Sequence, residues 1–192
     1  MWTASPGGSL PWRPAVSPEA AVSQQRDKLT DRQHLAVAVL SLWLILTSPW
    51  IAMLRRIPSG AGWFEYAHVV LGFIVLLLAA TYTWACARDG RWRLYFPLTP
   101  TGIGGLRRDL AGLLRGRIPA AEGGGLFGFI EGLLLIALAA TAATGAAWFL
   151  TQGSSEALAW RGHHIHAAWS LVGLLGLHVA TVSLHLLDFV RG

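Results

Sequence analysis

The chain has 192 residues, of which 54% are hydrophobic and only 13% charged, with a formal net charge of +5. A charged share near 25% is usual for a water-soluble domain, so this composition excludes one and points to membrane helices. The single cysteine, Cys86, excludes an intramolecular disulfide, a CxxCH haem-attachment site and a four-cysteine iron–sulfur centre. Nucleic acid is not an expected partner, because the basic residues cluster between apolar runs, where membrane topology accounts for them.

Residues Met1 to about Lys28 contain PGG, PWRP and SPEA and no periodic apolar pattern. They read as a mobile cytoplasmic tail, and no signal-peptide processing is expected. A spanning helix needs about 20 mostly apolar residues, and four such stretches follow, near 31–54, 63–87, 126–150 and 163–187. Pro49 should bend the first, since proline lacks a backbone donor. Between the second and third lies a long polar connection. Within it LRRDLAGLLRGR alternates leucine and arginine at helical spacing, as expected of a short amphipathic helix on the membrane surface.

The predicted fold class is therefore all-α, an integral membrane four-helix bundle. The tail, the long connection and the C-terminus hold twelve of the Lys and Arg residues and the other two loops hold three, which predicts both termini cytoplasmic. Trp50, Trp63, Trp84, Trp148 and Trp160 fall near helix ends, as in an interfacial aromatic belt.

The histidines carry the chemistry. His164 and His178 are fourteen residues apart. On a helix that leaves them about 40° out of line and roughly 21 Å apart along the axis. Imidazole is a usual axial ligand of non-covalently held haem iron. In the predicted topology His68, three residues past Glu65, and His164, three past Arg161, share a depth near the outer face. His34, near the start of the first span, and His178 form a less even inner pair. His185 matches the depth of His34 better and lies about 20° from His178, so it competes as the inner ligand. His163 and His166 lie off this stripe. Four intramembrane histidines at matching depths on three helices point to function, since ionisable groups in lipid are costly. The expected cofactors are two b haems.

Other residues fit that reading. Gly72, Gly145 (after Thr144), Gly173 and Gly176 can clear space for helices or macrocycles. Haem propionates seek cations, for which Arg32, Arg88 and Arg91 are inner candidates and Arg55, Arg56 and Arg161 outer ones. Glu131, the one acid well inside the third span, either reaches for the interface or serves a quinone site as a proton acceptor. Cys86 reads as an inert small residue at a helix end.

DRQHLAVAVLSLWLILT in the first span resembles the bacterial cytochrome b561 superfamily, as do YAHVVLGFIV in the second, LLLIALAATAATG in the third and HHIHAAWSLVGLLGLHVA in the fourth. The superfamily includes the cytochrome b subunits of formate dehydrogenase, nickel–iron hydrogenase and thiosulfate reductase. The resemblance implies a four-helix bundle with two b haems in a bacterial inner membrane, His34 paired with His178 and His68 with His164. Leu35 and Ser48-Pro49 depart from the family's usual tryptophan and Thr-Gly. The expected function is transmembrane electron transfer between an iron–sulfur or catalytic redox subunit and the quinone pool, with membrane lipid around it. One alternative is a self-contained superoxide/quinone oxidoreductase. The other is a non-haem proton or metal transporter or anchor.

Overall fold

The computed structural model describes residues 18–117 and 124–191, with side chains described over 31–117 and 124–184. The expected tail therefore lies, over residues 1–17, outside the described residues. Helix α1 spans Pro18–Thr47, α2 Trp63–Arg88, α3 Trp92–Tyr95, α4 Pro100–Leu113, α5 Gly125–Leu150 and α6 Glu156–Arg191. Within them four stretches are long and apolar enough to cross a membrane: Asp31–Trp50, Trp63–Arg88, Gly125–Leu150 and Glu156–Leu184. The second and third of these match the sequence expectation within a residue at each end.

The first differs at both ends. Helix α1 begins at Pro18 rather than at residue 31, and it stops at Thr47 rather than running to Leu54. Proline disfavours helical geometry at the residue before it and cannot donate from its own nitrogen. The chain accordingly tightens into one 3-10 turn at Ser48–Trp50 and emerges extended at Ile51. Pro49 ends the helix instead of bending it. The last span also starts early, at Glu156.

Caps fix the other ends. The Gly62 N–H donates to Glu65 Oε2 at 2.9 Å at the start of α2. Thr99 accepts from the Gly102 N–H ahead of α4, with Pro100 in the first turn, where its missing donor costs nothing. Gly153, at φ +87°, turns the chain between α5 and α6, a conformation that favours glycine.

Close packing runs in the order α1, α2, α5, α6, with α3 and α4 laid against α5. The core sits at mid-depth, where Val75 and Ala79 of α2 meet Ala137 and Leu138 of α5 and Leu171 of α6, with Val37, Leu40, Leu44 and Ile45 of α1 packed around them. Leu171 lies halfway along the sequence between His164 and His178, so this apolar layer separates two histidine levels, labelled outer and inner after the topology expected from the sequence.

Candidate functional site

The outer level holds a cavity of about 590 Å³ between α1, α2, α5 and α6, within the usual size range for a cofactor pocket. His68 and His164 line it, with Gly72, Gly145, Ala146 and Ala168 as small neighbours and Glu65 and Arg161 as the charged groups. The His68 and His164 ring centroids stand 6.5 Å apart with their planes at 81°. Two imidazoles bonded to one metal atom from opposite sides, at about 2 Å per bond, have centroids roughly 6 Å apart. The two rings are thus spaced as a single axially ligated iron requires.

His164 is held in the tautomer that ligation needs. Its Nδ1 lies 2.9 Å from the Thr141 carbonyl oxygen. Because that oxygen can only accept, Nδ1 carries the proton and Nε2 keeps its lone pair. Glycine makes the bond possible. Position 145 is one helical turn beyond Thr141, and a Cβ there would stand 3.0 Å from His164 Cε1 and Nδ1. His68 Nδ1 is buried with no partner among the described residues, leaving that ring's orientation to packing alone. The donor set, the cavity and the ring spacing together fit b-type haem.

A lid closes the outer end. Residues following α1, among them Ile51, Met53 and Pro58, line the cavity. They are pinned to the α5–α6 turn. The Gly153 N–H donates to the Arg55 carbonyl at 3.0 Å, Arg55 Nε to the Ser154 carbonyl at 3.0 Å, the Ile57 N–H to Gln152 Oε1 at 2.8 Å, and Trp148 Nε1 to the Leu54 carbonyl at 2.8 Å. Of the three outer arginines only Arg161 lines the cavity.

The inner level is built differently. Glu131, one helical turn beyond Phe127 on α5, belongs to this level with His178. The His178 Nδ1 is buried with no partner among the described residues, and its ring stands 5.4 Å from that of Phe127. Gln33 explains the depth of His34. Its Nε2 donates to the Leu78 carbonyl and to Thr81 Oγ1, both at 2.8 Å. This holds the adjacent residue level with the inner half of α2, well inside the early-starting α1. Glu131 is half-buried rather than extended into solvent. The side chain of His185 lies outside the described residues.

Several expectations change. Trp148 is not part of an interfacial belt: it is 5% exposed and bonded to the lid, whereas Trp50, Trp63 and Trp84 are exposed at 69%, 65% and 73%. A Cβ at Gly173 or Gly176 would meet nothing within 4 Å, and neither residue lines the outer cavity. His163 and His166 are exposed, as expected of interfacial residues. Cys86 is buried beside a Tyr82–Tyr95 hydroxyl pair 2.7 Å apart. Burial pushes the Tyr95 phenol above its ordinary value.

The roles of Gln33, Thr141 and the Tyr82–Tyr95 pair were not visible in the sequence. Gln33 follows charged residues and reads as surface, and a main-chain acceptor leaves no mark in its own residue type.

No curated protein and no solved structure is similar enough to the chain to count as a match. The prokaryotic cytochrome b561 family matches it over residues 25–188. Four spanning helices, a histidine-flanked cavity and a match across most of the chain agree, and the protein belongs to the prokaryotic cytochrome b561 family of multi-pass membrane proteins, which carry electrons across the bilayer on b-type haem.

Proposed function

We propose that this cytochrome holds two b haems, one between His68 and His164 and one between His34 and His178. It would exchange electrons with an iron–sulfur or catalytic redox subunit and with quinone, in a bacterial inner membrane with both termini cytoplasmic. The observation that carries the reading is the pair of imidazoles, His68 and His164, whose ring centroids stand 6.5 Å apart in the wall of one cavity.

When bound, haem supplies a one-electron redox centre whose potential responds to its ligands and surroundings. The chain's own residues do the rest. The Thr141 carbonyl orients His164. The segment Ile51–Pro58 contributes apolar wall to the outer site through Ile51, Met53, Ile57 and Pro58. Arg161, at the cavity wall, is the cation placed to meet a propionate. The core around Leu171 keeps the two levels apart.

Quinone chemistry moves protons with electrons. Glu131 is the carboxylate at the inner level that can hold a proton at its Oε atoms. The long connection after α2 supports a partner subunit, since it resembles that of dehydrogenase and hydrogenase subunits.

The test is the pigment itself. The purified, dithionite-reduced protein should show a b-type α-band and two irons per polypeptide. His164→Ala and His178→Ala should each keep one. Two irons retained in either variant would overturn the ligand assignment. A wild-type protein with a single iron would overturn the two-haem reading.

A further inference from the structure

We infer that α4 and the turn that follows it form an interfacial binding surface for anionic phospholipid headgroups. The inference rests on the membrane-spanning architecture and is independent of the haem assignment.

Depth is the first observation. Gly128 and Gly132 of α5 are notches into which α3 fits. A Cβ at Gly132 would stand 2.7 Å from the Tyr95 carbonyl oxygen and 3.0 Å from Phe96 Cε1. Gly132 lies seven residues into α5, roughly 10 Å along its axis, so the connection folds back to the level of the first two turns of a spanning helix. Asp109 then ties α4 to the same level, its Oδ2 accepting from the Leu126 N–H at 2.9 Å. Helix α4 is therefore fastened at the end of a span, where lipid headgroups lie.

The second observation is how its faces divide. Asp109 turns towards α5. Ile103, Leu110 and Leu114 fall within about 40° of one another on one flank and are 42%, 47% and 91% exposed, as is the preceding Leu98 at 74%. Arg108 occupies the opposite flank, about 140° from Ile103, and Arg107 borders the leucine row, about 40° from Ile103. Arg107, Arg108 and, in the turn after α4, Arg115 and Arg117 are all exposed. Among the described residues none of these four guanidiniums meets a carboxylate.

A leucine row beside arginines that meet no carboxylate among the described residues, at headgroup depth, complements a lipid layer. The row enters the acyl boundary and the arginines reach phosphate oxygens. A soluble protein partner would have to cover the leucine row from the water side, whereas the bilayer already lies against it.

The full chain, with Cys86→Ala and Leu110→Cys carrying a spin label, tests the depth. In phosphatidylglycerol-containing vesicles the label should relax with oxygen rather than with a water-soluble nickel chelate. Chelate accessibility would overturn the proposal and favour a protein-facing surface.

Native mass spectrometry of the detergent-solubilised chain tests the charge. It should retain phosphatidylglycerol over phosphatidylcholine. Replacing Arg107, Arg108, Arg115 and Arg117 with Gln should weaken that retention at least roughly tenfold, since each arginine near an anionic surface is worth about fivefold, while the b-type spectrum stays intact. Equal retention of the two lipids by the wild-type chain would overturn it. Should the quadruple variant not fold, high salt must abolish the wild-type preference, and a salt-insensitive preference would overturn the proposal equally.

Discussion

The outer and inner histidine levels use the same residue type and are prepared to different degrees. At the outer level one ring is locked by a main-chain acceptor, a glycine clears its path, and a loop fastened by four hydrogen bonds covers the space. At the inner level the His178 Nδ1 has no partner among the described residues, the Phe127 ring stands 5.4 Å from the imidazole, and Glu131 follows Phe127 by one helical turn. Neither His34 nor His178 lines the large cavity. The outer level offers a roomy cavity with one ring fixed by a main-chain bond. The inner level places an ionisable side chain, Glu131, among its polar groups.

The sharpest way to break this comparison is at Gly145. Gly145→Val should push the His164 ring off its acceptor and abolish the outer pigment, leaving one iron per polypeptide in the reduced spectrum. Loss of both pigments would mean that the two levels are one cooperative unit. Next, Glu131→Gln should slow quinol-linked turnover by roughly a hundredfold, the lower range for a removed proton acceptor, with both pigments kept. Unchanged turnover would leave the carboxylate a structural role only.

Smaller effects should separate the levels by stability. Gln33→Ala removes two hydrogen bonds that seat α1 on α2, a loss of about 2 kcal/mol. Thermal release of pigment should show the inner haem leaving first. Trp148→Phe removes one bond to the lid, about 1 kcal/mol, and should instead speed exchange of the outer haem. If Trp148→Phe loosens the inner haem equally, the lid is not specific to the outer level.

Much of this architecture was legible beforehand because lipid imposes strict terms. An apolar run of sufficient length must be helical, so α2 and α5 could be placed to within a residue. That His68 and His164 stand near one another is what equal depth on two spans leads one to expect. What escaped had local causes that hydropathy does not register. Pro49 could bend or end a helix, and only the extended path over the cavity decides for ending. Trp148 shares the composition and position of the belt tryptophans, and its inward turn depends on a carbonyl ninety-four residues away in sequence. Gln33 seats α1 because two acceptors on α2 happen to lie opposite it.

The anchor of His164 has a genetic consequence. Because the acceptor is a peptide oxygen, no replacement of the Thr141 side chain deletes it. Position 141 is therefore free to drift, provided the helix persists, whereas a single methyl group added one turn later crowds the ring. A mutational scan should find the function of residue 141 recorded at residue 145.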